Sequence, residues 1–267
     1  MPAYVRFAAL AFITSFVGPL ATIAAEIRVP CTEDAMIVFD ASGSMSSGDW
    51  GYTHENAVAS RIDLVRDSLR KILPSVTRYR RVGLMSYGPT AVPGLFNQCD
   101  NITLNLRPAP SAAASIIASV QSLVPVGGTP LTRAVEQSAE VLDFRRKPGV
   151  LVVLTDGWDT CGGSPCRAGK ALHATAAQLT IHVIVLKAKG LSRSDEDRFA
   201  GTRCLAEQNG GLYIAPETPE ELIAALETTL GCPKLSQGPL MAPSRRKSCC
   251  LSASAFDPEW ACPHGKL

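Results

Sequence analysis

The residues best suited to chemistry stand in Met36–Gly48, where an apolar run ends at an aspartate and two serines follow. Asp40, Ser42 and Ser44 occupy alternate positions, which point the same way in an extended turn. The small residues between them allow the backbone to curl around one point. Carboxylate and hydroxyl oxygens are the ligands of hard cations, so this spacing predicts a metal site.

Two other segments bring the same chemistry. The apolar run Val150–Asp156 ends in an acid, and the loop Gly127–Thr129 enters a helix with a hydroxyl. Turn or cap formation is the competing interpretation of each motif alone. Together, two carboxylates and two or three hydroxyls, without thiolate or imidazole, form an all-oxygen set. Such a set favours Mg²⁺ over zinc, with Mn²⁺ and Ca²⁺ as alternatives.

A layered α/β fold would bring these distant side chains together. Ala35–Asp40 and Val150–Asp156 are short and almost wholly apolar, as expected of strands buried on both faces. Strand and helix patterns alternate as far as the amphipathic helix Thr218–Leu230. This order predicts a doubly wound, mostly parallel central sheet flanked by helices on both faces. Sites in such sheets form at the carboxyl ends of strands, where Asp40 and Asp156 fall.

The remaining elements follow from periodicity and from the residues that interrupt it. Pro74 is predicted to stop the first helix, whose apolar positions begin at Ile62. The alternating run Ile102–Leu106 predicts an exposed or edge strand. Further strands are expected at 82–88, 181–186 and 212–215, and further helices at 112–123, 131–142, 167–179 and 195–208.

The motifs "DASGS", "GGTPL" and "LTDG" occur in the order, and on the elements, of a von Willebrand factor type A (VWA) domain, which the sequence resembles over roughly Asp34–Leu230. Domains of that family carry a metal-ion-dependent adhesion site. The resemblance implies an intact site in which some ligands contact the cation directly and others through water. The implied ligands are Asp40, Ser42, Ser44, Thr129 and Asp156. The subfamily with the nearest resemblance is secreted and bacterial, with a cysteine-containing loop like "DGWDTCGGSPC" after the final acid.

Aromatic and acidic residues surround the expected metal edge. The insertion Ser46–Arg61 contains Trp50 and Tyr52, while Trp158 and Asp159 follow the last acid. Exposed aromatic side chains beside an open metal position suit recognition of a partner. The alternative is that Trp50 and Tyr52 fold back and cover the insertion.

The two ends of the chain predict an extracytoplasmic protein. Arg6, an apolar run and small residues before Glu26 form a secretory signal at residues 1–25, with an uncleaved membrane anchor as the alternative. Residues 31–232 are the expected VWA domain. Residues 233–267 lack periodicity and are expected to be a flexible, cysteine-containing tail, with a small disulfide-held appendix as the alternative.

Nine cysteines fit an oxidising compartment, and their odd number leaves at least one free or paired with another chain. The tight turn Gly162–Pro165 predicts a bridge between Cys161 and Cys166, with a zinc site as the alternative. Cys31 and Cys232 bracket the best-patterned region, and a bridge between them would tie the ends of the domain together.

Composition narrows the class of partner. The formal net charge is +2, which indicates neither nucleic acid nor an anionic membrane as the main partner. The two tight basic clusters, Arg78–Arg81 and Arg145–Lys147, are expected to flank helix ends. No segment after the signal is apolar over the length that a membrane span needs.

The predicted function is therefore a metal-dependent binding module outside the cytoplasm, and not an enzyme. Its cation would coordinate an acidic group of a protein or matrix partner. One alternative is a scaffold or assembly subunit with a structural ion. The other is a metal-assisted hydrolase, for which only His54, Glu55 and Asp159 offer a base or nucleophile.

Overall fold

The computed structural model of this chain describes residues 31, 33–48, 53–54, 57–89, 99–186 and 198–232. Several sequence predictions fall outside these ranges: the signal segment, the C-terminal tail, Trp50, Tyr52 and Glu55. The division of the chain into residues 1–25, 31–232 and 233–267 stays a prediction. Within the described residues, no helix combines the length and the apolar character that a membrane span requires.

Eight strands occur in the described part of the chain, six of them in one sheet. They are β1 (Asp34–Asp40), β2 (Thr53–His54), β3 (Ala57–Val58), β4 (Val82–Tyr87), β5 (Ile102–Ala109), β6 (Pro148–Thr155), β7 (Gln178–Val185) and β8 (Tyr213–Ile214). The main sheet has the order β5-β4-β1-β6-β7-β8, and β2 pairs only with β3. All neighbours in the main sheet are parallel except β4 and β5.

Helices cover both faces of this sheet. Within the described ranges they are α1 (Arg61–Val76), α2 (Ala113–Ser122), α3 (Leu131–Val141), α4 (Pro165–Thr175), α5 (Ala200–Gln208) and α6 (Pro219–Leu230). Ile37 and Phe39 of β1 belong to the apolar cluster that contains side chains of α1, α2 and α6. Met36 and Val38 belong to a second cluster with α3, α4 and α5. Because successive strand residues face opposite sides, β1 must be apolar throughout, and the predicted doubly wound fold is confirmed.

The prediction that Pro74 stops the first helix is wrong, because α1 continues through it to Val76. A proline in the last turn removes only its own N–H, and Thr77 N still donates to Leu73 O at 2.9 Å. Leu73 and Val76 are buried, so packing on the sheet holds the last turn in place.

Two other element predictions have different outcomes. The strand predicted at Ile102–Leu106 is confirmed as the edge strand β5. The helix predicted at 167–179 is displaced, because α4 begins at Pro165 and ends at Thr175. The helix cannot run further, since β7 already begins at Gln178.

The bridge between Cys31 and Cys232, which the sequence left open as a possibility, is present, with 5.3 Å between the Cα atoms. It joins the segment before β1 to the segment after α6, and so ties together the two ends of the described fold. Two further disulfides occur in the described residues. Three bridges in one domain are typical of proteins outside the cytoplasm.

The predicted bridge between Cys161 and Cys166 is wrong. Cys161 pairs with Cys99, and Cys166 pairs with Cys204. The reason is the start of α4 at Pro165, which places Cys166 within a helix that packs against α5. Cys161 stays in the preceding loop and faces a different partner.

Candidate metal-binding site

Register between neighbouring strands places the two predicted acids at one edge of the sheet. β1 and β6 are parallel with Phe39 opposite Leu154, so both strands end at the same level. Thr155 Oγ1 donates a hydrogen bond to Asp40 Oδ2 at 2.7 Å. Asp156 follows directly, and both acids are buried, with 0% of Asp40 and 6% of Asp156 exposed.

The turn after β1 brings the two serines to these acids. Ser42 N donates to Asp40 Oδ1 at 2.7 Å, which fixes the carboxylate against its own loop. A short 3₁₀ turn follows, and Ser44 Oγ donates to Asp156 Oδ1 at 2.7 Å. The hydroxyl oxygens of Ser42 and Ser44 lie 3.2 Å apart. Four of the five predicted ligands therefore form one contiguous cluster of oxygen atoms.

The loop that carries Thr129 lies between the other two segments. Gly43 N donates to Gly127 O at 3.1 Å, which joins this loop to the serine turn. Thr129 N donates a hydrogen bond to Thr160 Oγ1 at 2.9 Å. Thr160 N donates back to Thr129 O at 3.1 Å. Thr129 itself is buried, so its backbone is fixed beside the cluster from both sides.

Arg61 also contacts the cluster, although none of the sequence motifs had pointed to it. Its Nη1 donates to Asp156 Oδ2 at 2.5 Å, and both side chains are buried. Ser60 caps α1 by accepting from Asp63 N, which makes Arg61 the first residue of the helix. Cations are disfavoured at helix amino ends. An arginine as the first residue of α1 was therefore the one feature of the sequence that could have indicated an ion pair with a buried acid.

Burial dominates the electrostatics of the two acids. It raises the pKa of Asp40 to about 6, and the nearby charge of Asp156 contributes in the same direction. Burial also raises the pKa of Asp156, although its hydrogen bonds with Ser44 and Arg61 favour the charged form. The cluster contains two buried carboxylates, and its arginine pairs with Asp156, so it holds more acidic than basic groups and a cation would neutralise the excess.

The residues present fit a small, hard divalent cation. Carboxylate and hydroxyl oxygens are the ligands that Mg²⁺, Mn²⁺ and Ca²⁺ accept, and hydrogen bonds already join four of the residues. Among the described residues, no group of three or more His, Cys, Asp or Glu side chains is placed to hold a metal. A metal at this edge would therefore depend on the serine and threonine hydroxyls.

The predicted partner-binding rim is only partly within the described residues. Trp158 is 37% exposed, its ring meets Phe199 edge-on at 6.2 Å, and the Arg198 guanidinium lies 4.6 Å from its centroid. Trp158 therefore presents a fixed, partly exposed aromatic surface two residues after Asp156. Trp50 and Tyr52, the other predicted aromatics, lie outside the described residues.

Asp159 has a structural task in the loop after β6. Its Oδ2 accepts from Thr132 N at 2.8 Å, and its Oδ1 accepts from Cys161 N and Gly163 N, each at 2.9 Å. Three backbone N–H groups thus hold this carboxylate against the loop and the start of α3. Its predicted roles at the rim or as a hydrolytic base stay untested.

A family model for the von Willebrand factor type A domain matches residues 35–158. That span begins at β1 and includes all five predicted ligands from Asp40 to Asp156. The match covers somewhat less than half of the chain, and together with the sheet topology it makes the chain similar to VWA domains.

Several individual proteins are similar to this chain in sequence or in fold. The uncharacterized protein YwmC of Bacillus subtilis (strain 168) is 25% identical over 199 residues, covering 74% of this chain and 82% of YwmC. The SpRpn10 VWA domain is 12% identical, with a TM-score of 0.54, over 76% of this chain and 99% of that one. The pilus adhesin SpaC of Lactobacillus rhamnosus GG is 16% identical, with a TM-score of 0.53, over 76% of this chain and 31% of SpaC. At these identities the structural likeness shows the fold alone.

Proposed function

We propose that this protein is an extracytoplasmic binding module that holds a divalent cation, foremost Mg²⁺, at the carboxyl edge of its sheet. An acidic group of a protein or matrix partner would complete the coordination. The proposed ligands are Asp40, Ser42, Ser44, Thr129 and Asp156. The observation that carries the proposal is the contact chain from Asp40 through Ser42 and Ser44 to Asp156, which unites two buried acids from remote segments.

Each residue of the cluster has a defined task in this function. Asp40 and Asp156 supply the negative charge, and the neutral hydroxyls of Ser42 and Ser44 complete the ligand set without adding more. Arg61 balances part of the charge on Asp156 from the protein side. When bound, the cation supplies an electrophilic position that accepts a carboxylate oxygen from a partner. Trp158, partly exposed and two residues after Asp156, would offer apolar surface for the rest of that partner.

The location and the absence of catalysis are part of the proposal. Three disulfides favour an oxidising compartment, which agrees with the predicted signal at residues 1–25. SpaC, which shares the fold, is a pilus adhesin, and this supports adhesion as the mode of use. We expect no turnover of phosphate or carboxylate esters, because the described residues of the site include neither a histidine nor a thiol to act as base or nucleophile.

The test compares two serines of the same 3₁₀ turn. Ser44→Ala removes the hydroxyl that bonds to Asp156, whereas Ser46→Ala removes an exposed hydroxyl that bonds only to Gly43 O within the turn. In calorimetric titration with Mn²⁺, we expect Ser44→Ala to lose about tenfold or more in affinity, and Ser46→Ala to match the unmodified protein. Equal affinities for all three proteins would refute the metal site.

A second arm tests the partner. The protein is used to capture binders from the extracytoplasmic fraction of its source cells, with Mg²⁺ or with EDTA. Binders that require Mg²⁺ and are lost with Ser44→Ala support metal-mediated adhesion. Binders retained equally in EDTA would instead assign a scaffold role in which the cation is structural.

A further inference from the structure

A cavity lies at the other edge of the sheet, away from the proposed metal cluster. It measures about 530 Å³ and is bounded by the amino ends of β6 and β7 and by the end of α6. β6 runs from this edge to the metal edge, a distance of about 23 Å at the usual rise of a strand. The cavity is within the size range of small-molecule sites and is separate from the proposed metal cluster.

Arg80 is a buried cation on the wall of this cavity. Only 6% of the residue is exposed, and its Nε has no hydrogen-bond acceptor among the described residues. The nearest recorded acidic oxygen, Glu33 Oε2, lies 3.7 Å from Nη2, which exceeds the length of a hydrogen bond. One long ion pair compensates a guanidinium buried to this extent only in part, so its Nη groups would gain from a further anionic oxygen in the cavity.

His182 adds a neutral donor to the same wall. Its Nδ1 accepts from Leu212 N at 3.0 Å, so the hydrogen of the neutral ring is carried by Nε2. Burial, with the charge of Arg80, lowers the pKa of His182 to about 4. The ring is therefore uncharged at neutral pH, and Arg80 is the one cation among the residues that line the cavity.

Carboxylates on the lining complete the pattern. Glu33 and Glu227 both line the cavity, and Glu227 is exposed on α6. A simple anion would satisfy Arg80 but would meet two negative side chains. A simple cation would satisfy the glutamates but would leave Arg80 without an acceptor. A small molecule with both charges meets both requirements.

We propose that this cavity binds a small zwitterion of the α-amino acid class, with its carboxylate on Arg80 and its ammonium group toward Glu33 and Glu227. Gln178 and Thr228, which also line the cavity, supply further polar contacts. The site does not depend on the metal edge, so this proposal can be tested independently of the proposed adhesion function.

The experiment titrates the full chain calorimetrically with each common L-amino acid, and with acetate and methylamine as the two halves of the ligand. At least one amino acid is expected to bind with a Kd of about 1 mM or tighter, and both halves more weakly. No binding by any amino acid overturns the proposal. Acetate binding as tight as the best amino acid overturns the zwitterionic assignment.

Two variants locate the binding. Arg80→Gln should weaken it about tenfold or more, while Arg81→Gln, at an exposed neighbour paired with Asp34, should leave it unchanged. Thr228→Phe fills the cavity from the exposed face of α6 and should also abolish binding, with all charges kept. Circular dichroism verifies folding, and unchanged affinity in a folded Arg80→Gln or Thr228→Phe protein would overturn the location. Ser44→Ala must bind the amino acid normally, which separates this result from the metal test.

Discussion

The two ends of the parallel strands bury charges of opposite sign, and those charges differ in how many hydrogen-bond partners the protein supplies. At the carboxyl end, Asp40 and Asp156 accept hydrogen bonds from Ser42 N, Ser44 Oγ and Arg61. At the amino end, Arg80 keeps an Nε without an acceptor among the described residues. The first arrangement is largely satisfied by the protein itself, whereas the second is not.

This difference shows what each buried charge requires of the rest of the chain. Removal of a satisfied partner leaves its counterpart buried and uncompensated, so the carboxyl edge is sensitive to mutation. An unsatisfied charge makes little net contribution to the fold, because its desolvation is poorly repaid. We therefore expect loss of a partner at the carboxyl edge to be costly unless a cation replaces it, and the amino edge to gain stability only from a ligand.

The largest expected effect comes from removal of Arg61. Without metal, Arg61→Met leaves Asp40 and Asp156 buried with no counter-charge, and we expect a loss of about 3–5 kcal/mol in the free energy of unfolding. Saturating Mg²⁺ should restore most of that loss, because the cation then neutralises the acids. Urea unfolding in EDTA and in Mg²⁺ measures both values.

Arg70→Met is the matched control for this prediction. Arg70 lies on the same helix, but its ion pair with Asp67 is partly exposed and is expected to contribute at most about 1 kcal/mol. If Arg61→Met lost the same free energy in Mg²⁺ as in EDTA, Arg61 would be a packing residue and not a counter-charge of the site.

A smaller effect is expected from pH. Burial raises the pKa of Asp40 from 3.8 to about 6, so the folded protein binds more protons than the unfolded chain between about pH 4 and pH 6. Its contribution to stability is therefore fully present below about pH 4 and declines as the pH rises through 6. The difference between the two pKa values corresponds to about 3 kcal/mol in the metal-free protein.

The pH prediction is tested by comparison with Asp40→Asn. Urea unfolding of both proteins in EDTA, from pH 4 to pH 7.5, isolates the contribution of this one carboxyl group. The unmodified protein should lose stability relative to the variant as the pH rises. A constant difference across that range would show that Asp40 does not titrate in the expected window.

The sequence was sufficient to predict the carboxyl edge because its information is local. A strand buried on both faces has to be apolar, and a polar residue at its end has to lie at the edge of the sheet. Asp40 and Asp156 satisfy both conditions, and the register between β1 and β6 places them as expected. Ser42 and Ser44 follow within one turn, so their positions depend on few other residues.

Features that depend on tertiary contacts were missed or mispredicted. Arg61 joins the site only because the cap at Ser60 sets the start of α1. The bridge between Cys161 and Cys166 failed because the start of α4 at Pro165 turns Cys166 toward another helix. No local sequence pattern predicts these two contacts, since each depends on how two remote elements pack.

Arg80 illustrates the same limit at the amino edge. The sequence placed it in a basic cluster flanking a helix end, and it does follow α1 by a few residues. However, it lines a cavity together with residues of β7 and α6, which lie about a hundred residues or more further along the chain. From the sequence alone, a basic run that flanks a helix end therefore cannot be distinguished from one that supplies a cation to a cavity wall.

The smallest expected effect, from Arg80→Met, tests the comparison most directly. Glu33, the acid nearest to Arg80, keeps about a third of its side chain exposed, so removal of the arginine leaves no charge stranded in the interior. Replacement of a poorly paired buried ion by an apolar side chain of similar volume is often neutral or stabilising. We therefore expect the free energy of unfolding to change by less than about 1 kcal/mol, or to rise. The measurement is urea unfolding of Arg80→Met and of Arg61→Met, both in EDTA. If Arg80→Met lost several kcal/mol in the free energy of unfolding, the charge of Arg80 would already be satisfied within the fold and would need no ligand.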